Sequence, residues 1–328
     1  ERLEGLQVAA CRHVFRTGGD TRMLARALVS VVAATGADEL TNEWYNLFEV
    51  HGAEDVLVAS MEEYILQGAL RRPPPAGMQR LLDYCAREHQ YARLESLVLH
   101  VEPTNLDLEQ TLQLCGAHHL WDALIYIYNV ALRDYVTPIT VLLRGALLAH
   151  NTSDTWIPNV DRKDAYVLFP YLNAILRGLS YPHLEPMPAA QAEYAAAGIS
   201  DVLYSEAPDA GLLDEKYPML VMGLQLDAEK LLGVLDDAFE CGLLSDDEPE
   251  STLPSRAHVI SVLLDVRRVG NISKRDAAFI AVFVARNAPK FPQFVRLAGQ
   301  DVAELFDELC VYDGAEPRAV DREFALEC

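Results

Sequence analysis

No two cysteines of this chain lie close enough to form a C-x-x-C pair. The six stand at Cys11, Cys85, Cys115, Cys241, Cys310 and Cys328. That spacing argues against a compact zinc module, whose ligands come in short paired intervals. Scattered thiols in apolar segments read as reduced and intracellular. No apolar run reaches about 18 residues, so no membrane-spanning segment is expected. The glycine motifs that cradle phosphates or present a nucleophile, G-x-x-x-x-G-K-[ST], G-x-G-x-x-G and G-x-S-x-G, are missing too. Positive charge is scarce: 27 Lys and Arg stand against 49 Asp and Glu, a formal net charge of -22. A surface that acidic repels phosphate backbones and anionic lipid, so no nucleic-acid partner is expected and any membrane contact should be indirect. Strand-like alternation is also scarce. The start, ERLEGLQVAA, has neither an initiator Met nor a signal-peptide pattern, and the chain reads as a middle piece of a longer protein.

Apolar residues make up 51 % of the 328, which excludes a largely disordered chain. The length suits one large or two ordinary domains, unless the chain is a repeat protein without a single growing core. Internal similarity favours the repeat. The stretch LLDYCAREHQYARLESLVL, residues 81–99, shifted by 30, lays Leu82, Cys85, His89 and Leu94 on Leu112, Cys115, His119 and Leu124. Tyr91 then meets Trp121, and Leu97 meets Ile127. A fainter third copy surrounds Leu47, His51, Asp55 and Leu57. Such a period marks stacked helix pairs.

Within LCGAHHLWDALIYIYN, residues 114–129, the apolar positions follow a helical period that runs on through Ala131 to Tyr135. Only Asp122, Asn129 and Arg133 leave a polar strip, so residues 120–135 are expected to form one helix buried among neighbours. Breaks are legible elsewhere. TGGDTR offers Asp20 as an N-cap. RRPPPAG ends one helix and starts another. VEPTNLDLEQT leads into an acidic first turn, and VTPITVLL puts Pro138 in a first turn. Longer connections fall at 151–161, 181–188, 206–218 and 245–254. In the less regular half, helices are expected at 164–178, 189–204, 227–241, 256–269, 274–286 and 302–311. The whole reads as all-α, a solenoid of stacked helical hairpins built from roughly a dozen or more helices. It is expected to be continuous over residues 1–328, with more regular repeats over about 1–150 than over about 161–328.

Candidate chemistry is thin. His118 and His119 are neighbours, so on a helix they diverge by about 100° and cannot grip one ion together. No HExxH pattern surrounds them, and His89 and His119 share a repeat position, which points to a role at a helix end or turn. LDDAFE supplies Asp236, Asp237 and Glu240, an aspartate-rich run of the kind that holds magnesium and a diphosphate in all-helical synthases. A facing second metal motif and a basic pair for the diphosphate are both wanting, so a solvated acidic face is the plainer reading. LLSDDEPESTLPSR reads as an exposed acidic loop, and its residues 245–250 could meet a basic partner or take a phosphate. Cys115 sits among apolar residues, where a thiol resists ionisation. The sequons at 151–153 and 271–273 carry no meaning in a cytosolic protein. No catalytic, cofactor-binding or metal-binding residue is assigned, and no partner-binding residue can be named.

One run resembles a known family. SMEEYIL, then LESLVLHVEPTNLDLEQTLQLCGAHHLWDALIYIYNVALRDYVTPITVLL, is similar to the central solenoid of the vacuolar protein sorting-associated protein eight family. WDALIYIYNVALRDYVTP carries the likeness best. FPYLNAILRGLSYP and YPMLVMGLQLDAEKLLGVLDDAFEC extend it more loosely, over roughly residues 50–290. The resemblance implies an α-solenoid of clathrin-heavy-chain or TPR-like repeats and a non-catalytic scaffold role. It implies a subunit of CORVET, an endosomal tethering complex, that acts with an early-endosomal Rab GTPase and a class C core. The implied place is cytoplasmic and peripheral on endosome membranes. Neither the blades of the family's N-terminal propeller nor its C-terminal RING-type zinc pattern is found. A late-endosomal tether or a clathrin-like coat would share the repeat, and a magnesium-dependent synthase is the rival of another class.

Overall fold

The computed structural model describes residues 2–35, 41–148, 160–206, 216–241, 243–246, 251–269 and 271–313. The sequon at 151–153, residues 247–250 of the acidic run and Cys328 lie outside the described residues. Among the described residues the fold is all-α. The single β pairing there is an isolated bridge between Leu179 and Pro186. The helices gather into two compact units, residues 1–133 and 134–328.

The first unit is four helical hairpins: α1 (Arg2–Thr17) with α2 (Thr21–Thr35), α3 (Thr41–Val50) with α4 (Glu54–Leu66), α5 (Pro75–Arg87) with α6 (Tyr91–His100), and α7 (Leu108–Ala117) with α8 (Trp121–Ile127). The second helices stack in order, α2 on α4, α4 on α6 and α6 on α8; α1, α3 and α5 do the same on the other side. Local chemistry sets the starts. Asp20 Oδ1 accepts from the N–H of Arg22 and Met23 at 2.9 and 3.0 Å. Asp107 caps α7 by accepting from Gln110 N–H at 3.2 Å, and Pro75 occupies the first turn of α5.

The ends are more telling. Gly18, Gly52, His89 and His119 all have left-handed backbones, with φ of 66°, 64°, 56° and 59°. Each sits just past the first helix of its pair. The next N–H then reaches back five residues: Gly19 to Val14 O at 3.0 Å, Ala53 to Phe48 O at 2.8 Å, Gln90 to Cys85 O at 2.8 Å, Leu120 to Cys115 O at 2.9 Å. This closure satisfies carbonyls that a helix end leaves without partners. The repeat found at 30 residues is therefore real, and the third copy is real in a different register: Gly52, not His51, is the equivalent of His89.

The expected single helix over 120–135 is not formed. α8 passes at Tyr128 into one π-helical turn, Tyr128–Leu132, and stops at Arg133, which is left-handed at φ 52°. Asn129, read as part of a polar strip, is buried, and Tyr135 falls in the second unit. The apolar period ran through this break because periodicity registers side-chain pattern, and a π turn shifts the backbone by a residue without changing composition.

The second unit holds α9 (Thr137–Leu148), α10 (Leu168–Leu176) after a 3₁₀ turn at Asp164–Val167, α11 (Ala189–Tyr204), α12 (Pro218–Cys241), α13 (Arg256–Val269), α14 (Lys274–Asn287) and α15 (Gly299–Asp313). α12 is central and packs on α9, α10, α11 and α14. It was expected to start at 227. Instead Asp227, at φ -166° and ψ 99°, breaks a longer helix in two. Its Oδ1 caps the second part at Lys230 N–H, 3.0 Å, and Arg162 donates to the carbonyls of Gln225 and Leu226 that end the first, at 3.0 and 2.9 Å. The first part, PMLVMGLQL, is apolar on nearly every side, so no period betrays it.

Because His119 adopts φ 59°, His119→Gly should raise unfolding free energy by up to about 1 kcal/mol, and His119→Val should lower it by about 1–2 kcal/mol. Chemical denaturation decides. A glycine variant less stable than the valine variant would show that the imidazole matters and the backbone does not.

Candidate functional site

The histidines of the sequence reading lie on the turn edge of the first unit. His118 stacks on Tyr91, ring centroids 4.0 Å apart at 20°. Tyr91 opens α6 of the preceding hairpin, and its hydroxyl is 2.9 Å from His89 Nδ1. His89, Tyr91 and His118 thus join the closing turns of two successive hairpins. His119 points away and meets Trp121 edge-on at 6.2 Å. Two hairpins earlier in the stack, Phe15 and His51 stack at 4.3 Å.

Charges also run between successive hairpins. Arg26 pairs with Glu63 at 2.7 Å, Arg87 with Glu54 at 2.9 Å, Arg80 with Glu49 at 3.6 Å, and Arg93 with Glu62. The exposed pairs contribute little each. Glu95 does more specific work. Its Oε1 accepts from the N–H groups of Asp122 and Ala123 at 3.2 and 3.5 Å. α8 has no cap of its own at Leu120, so α6 supplies one. Burial, then the nearby Asp122 charge, raise the Glu95 pKa above its ordinary value, while the two N–H donors oppose the rise.

The aspartate-rich run is divided between neighbours. Asp236 accepts from Arg286 at 3.0 Å and Asn287 at 2.5 Å, both at the end of α14. Glu240 pairs with Lys290 at 3.0 Å. Asp237 turns the other way, to Asn173 of α10 at 2.5 Å. No cluster of three His, Cys, Asp or Glu side chains among the described residues is arranged to hold a metal ion. Burial pushes the Cys115 thiol up to about 12 and Cys11 up to about 11, so both stay protonated at neutral pH. No described helix is long and apolar enough to cross a membrane.

The acidic run corrects an expectation. It reads as an exposed loop, yet the Asp246 side chain is only 4 % exposed and pairs with Arg256, 10 % exposed. Arg256 Nε also donates to Phe239 O at 3.2 Å, near the end of α12. Its guanidinium lies 4.5 Å from the Phe291 ring centre and 5.9 Å from that of Phe294. The chain entering α13 is thereby pinned under a buried charge pair. Composition hid this, because Asp246 stands among acids that share its type but not its burial. Ser-Arg before an apolar run was the available clue.

Removing one partner of a buried pair strands the other. Arg256→Leu should cost about 3–5 kcal/mol, and Arg256→Leu with Asp246→Leu should recover most of that. Urea unfolding of the single and double variants tests it. Equal losses in both would mean that the aromatic cage, not the charge pair, holds the loop.

The described residues therefore place packing contacts where the sequence suggested chemistry. Comparison with known proteins agrees in kind. Vacuolar protein sorting-associated protein 8 of Saccharomyces cerevisiae is 26 % identical over 274 residues, 75 % of this chain and 21 % of that protein. The human homolog is 27 % identical over 256 residues, 77 % of this chain and 18 % of that protein. The Drosophila melanogaster homolog is 27 % identical over 263 residues, 79 % and 20 %. The chain thus spans about a fifth of the length of these relatives. The family described as Vps8 central TPR matches residues 56–239, more than half the chain, in a fold made of repeated helical hairpins, and the chain belongs to that family.

Proposed function

We propose that the chain is a non-catalytic scaffold segment of an endosomal tethering subunit, of the CORVET type, acting in vesicle-mediated transport and endosome fusion. One observation carries this reading: in a chain of the Vps8 central TPR family, the carboxylates and histidines with any claim to chemistry are engaged between helices or across turns. Such a segment offers spacing and surface. Its partners on this reading are class C core subunits, with an early-endosomal Rab GTPase reached through the full-length protein. The net charge of -22 speaks for protein partners over nucleic acid or bare lipid, and for indirect attachment at the cytoplasmic side of endosomes. A late-endosomal tether or clathrin-like coat would use the same hairpins, and the family match favours the first reading. A diphosphate synthase would need Asp236, Asp237 and Glu240 on one face, and they serve two.

The test uses the full-length protein in cells. Ile127, fully buried in α8, is replaced by Asp, which deletes apolar packing worth about 2–5 kcal/mol and adds an unpaired carboxylate. His118→Ala gives up the stack on Tyr91, about 1 kcal/mol. Ile127→Asp should abolish endosome clustering and co-purification of class C subunits, and His118→Ala should spare both. Clustering that survives a demonstrably unfolded Ile127→Asp segment would sink the scaffold reading. A protease-resistant His118→Ala protein that no longer clusters would make the turn edge a contact site.

A further inference from the structure

The connection from α10 to α11 carries an apolar strip open to solvent. Leu184 is 57 % exposed and Tyr194 64 %. Between them Pro186, Pro188 and Ala190 are exposed too. Single exposed apolar residues need no explanation. Here exposed apolar residues recur from 184 to 194, with the exposed Glu185 and Glu193 among them, and both ends of the run are held in place.

Leu184 has φ 57°, a conformation bulky side chains avoid unless their surroundings impose it. Here they do. Leu184 N–H donates to Ser180 O at 2.9 Å and Ser180 N–H to Glu185 O at 2.8 Å. Glu185 N–H donates to Ser180 Oγ at 3.1 Å, and Met187 N–H to Gly178 O at 2.9 Å. The loop spends its hydrogen bonds inward and holds a leucine outward. Tyr194 meets the edge of Tyr135 at 6.3 Å. Tyr135 is fixed in turn by Gln191, which donates to its hydroxyl at 2.7 Å, and by Tyr171, which donates to its carbonyl at 2.8 Å. An exposed ring already held this way loses little freedom when covered.

Two facts say what covers it. Pro186 and Pro188 have no N–H, so the outer edge of the loop cannot template an added strand. Recognition must go through side chains. Ala190, Tyr194 and Ala197 recur at helical spacing on α11, with small residues either side of the ring that admit a close helix. Second, residues 178–215 contain no Lys or Arg, while Glu185, Glu193 and Asp201 are exposed along the loop and helix. We propose that Leu184, Pro186, Pro188, Ala190 and Tyr194 form a docking strip for an amphipathic helix of a partner polypeptide whose apolar face is flanked by Lys and Arg. A second copy of this chain would bring acid against acid. The proposal stands whether or not the tethering reading holds.

The probe is a fluorescein-labelled helical peptide of Leu and Lys, about 18 residues long, with Leu at i, i+3, i+4 and i+7. A permuted peptide of the same composition spreads its leucines around the helix. Anisotropy titrations of the 328-residue chain at about 0.15 M ionic strength compare the two. The amphipathic peptide should bind at least about tenfold tighter than the permuted one. Leu184→Ser with Tyr194→Ser should weaken it about tenfold or more, and Glu185→Lys with Glu193→Lys several-fold, with circular dichroism unchanged. Val269→Ser, at an exposed residue elsewhere, should leave it alone. Equal binding of both peptides, or no loss in the double serine variant, overturns the proposal as mere charge attraction. A dimer by light scattering that the double serine variant abolishes overturns it in favour of a second copy.

Discussion

The closing turn of each hairpin is the constraint from which the first unit follows. A helix end leaves carbonyls without partners, and a buried end without partners is costly. Here one left-handed residue, Gly18, Gly52, His89 or His119, lets the following N–H reach back and reverses the chain. Reversal lays the second helix against the first. Repetition then stacks second helix on second helix, and that stacking makes Ile127, Leu97 and Val58 inaccessible. Glu95 can cap α8 only because α6 already lies beside it. The histidine stack on Tyr91 is likewise a consequence of turns brought into line.

The second unit is held by different means. Among the described residues there the same closure recurs once, at Gly178, where Leu179 N–H reaches Ala174 O at 2.9 Å. Beyond it the helix junctions carry charged or polar side chains that are buried or half-buried. Asp227 ends one helix and caps the next. Asp236 gathers the end of α14. Arg256 fastens the entry of α13 to the end of α12. Where such a group is buried, as Arg256 is, losing its partner leaves an uncompensated charge. Irregular helix lengths suit that arrangement, since each junction is settled by its own pair.

Helices with one apolar stripe were legible in the sequence. The expected ranges 189–204 and 256–269 coincide with α11 and α13, where Pro188 and Ser255 stand just before the first turns. The break at Tyr128–Leu132 was not legible, since the apolar period runs on through it, and neither was the helix before Asp227, which is apolar on nearly every side. The exchangeability of His89 and His119 was visible as a shared position. Its cause, a left-handed backbone, was hidden behind residues that suggest chemistry. Asp246 was misread because burial is a property of the fold and not of residue type. The aspartates and histidines that suggested chemistry serve packing and helix junctions, while Leu184 and Tyr194 stay exposed.

Amide hydrogen exchange at the hairpin turns tests the central claim most directly. The N–H groups of Ala53, Gln90 and Leu120 each make one closing bond to the carbonyl five residues back. If those bonds set the repeat, these amides open only with their hairpins, and their protection should approach that of Leu82 and Leu124 within the helices. Exchange of Gln90 and Leu120 at the rate of an unprotected chain, with the helix interiors still protected, would contradict the account.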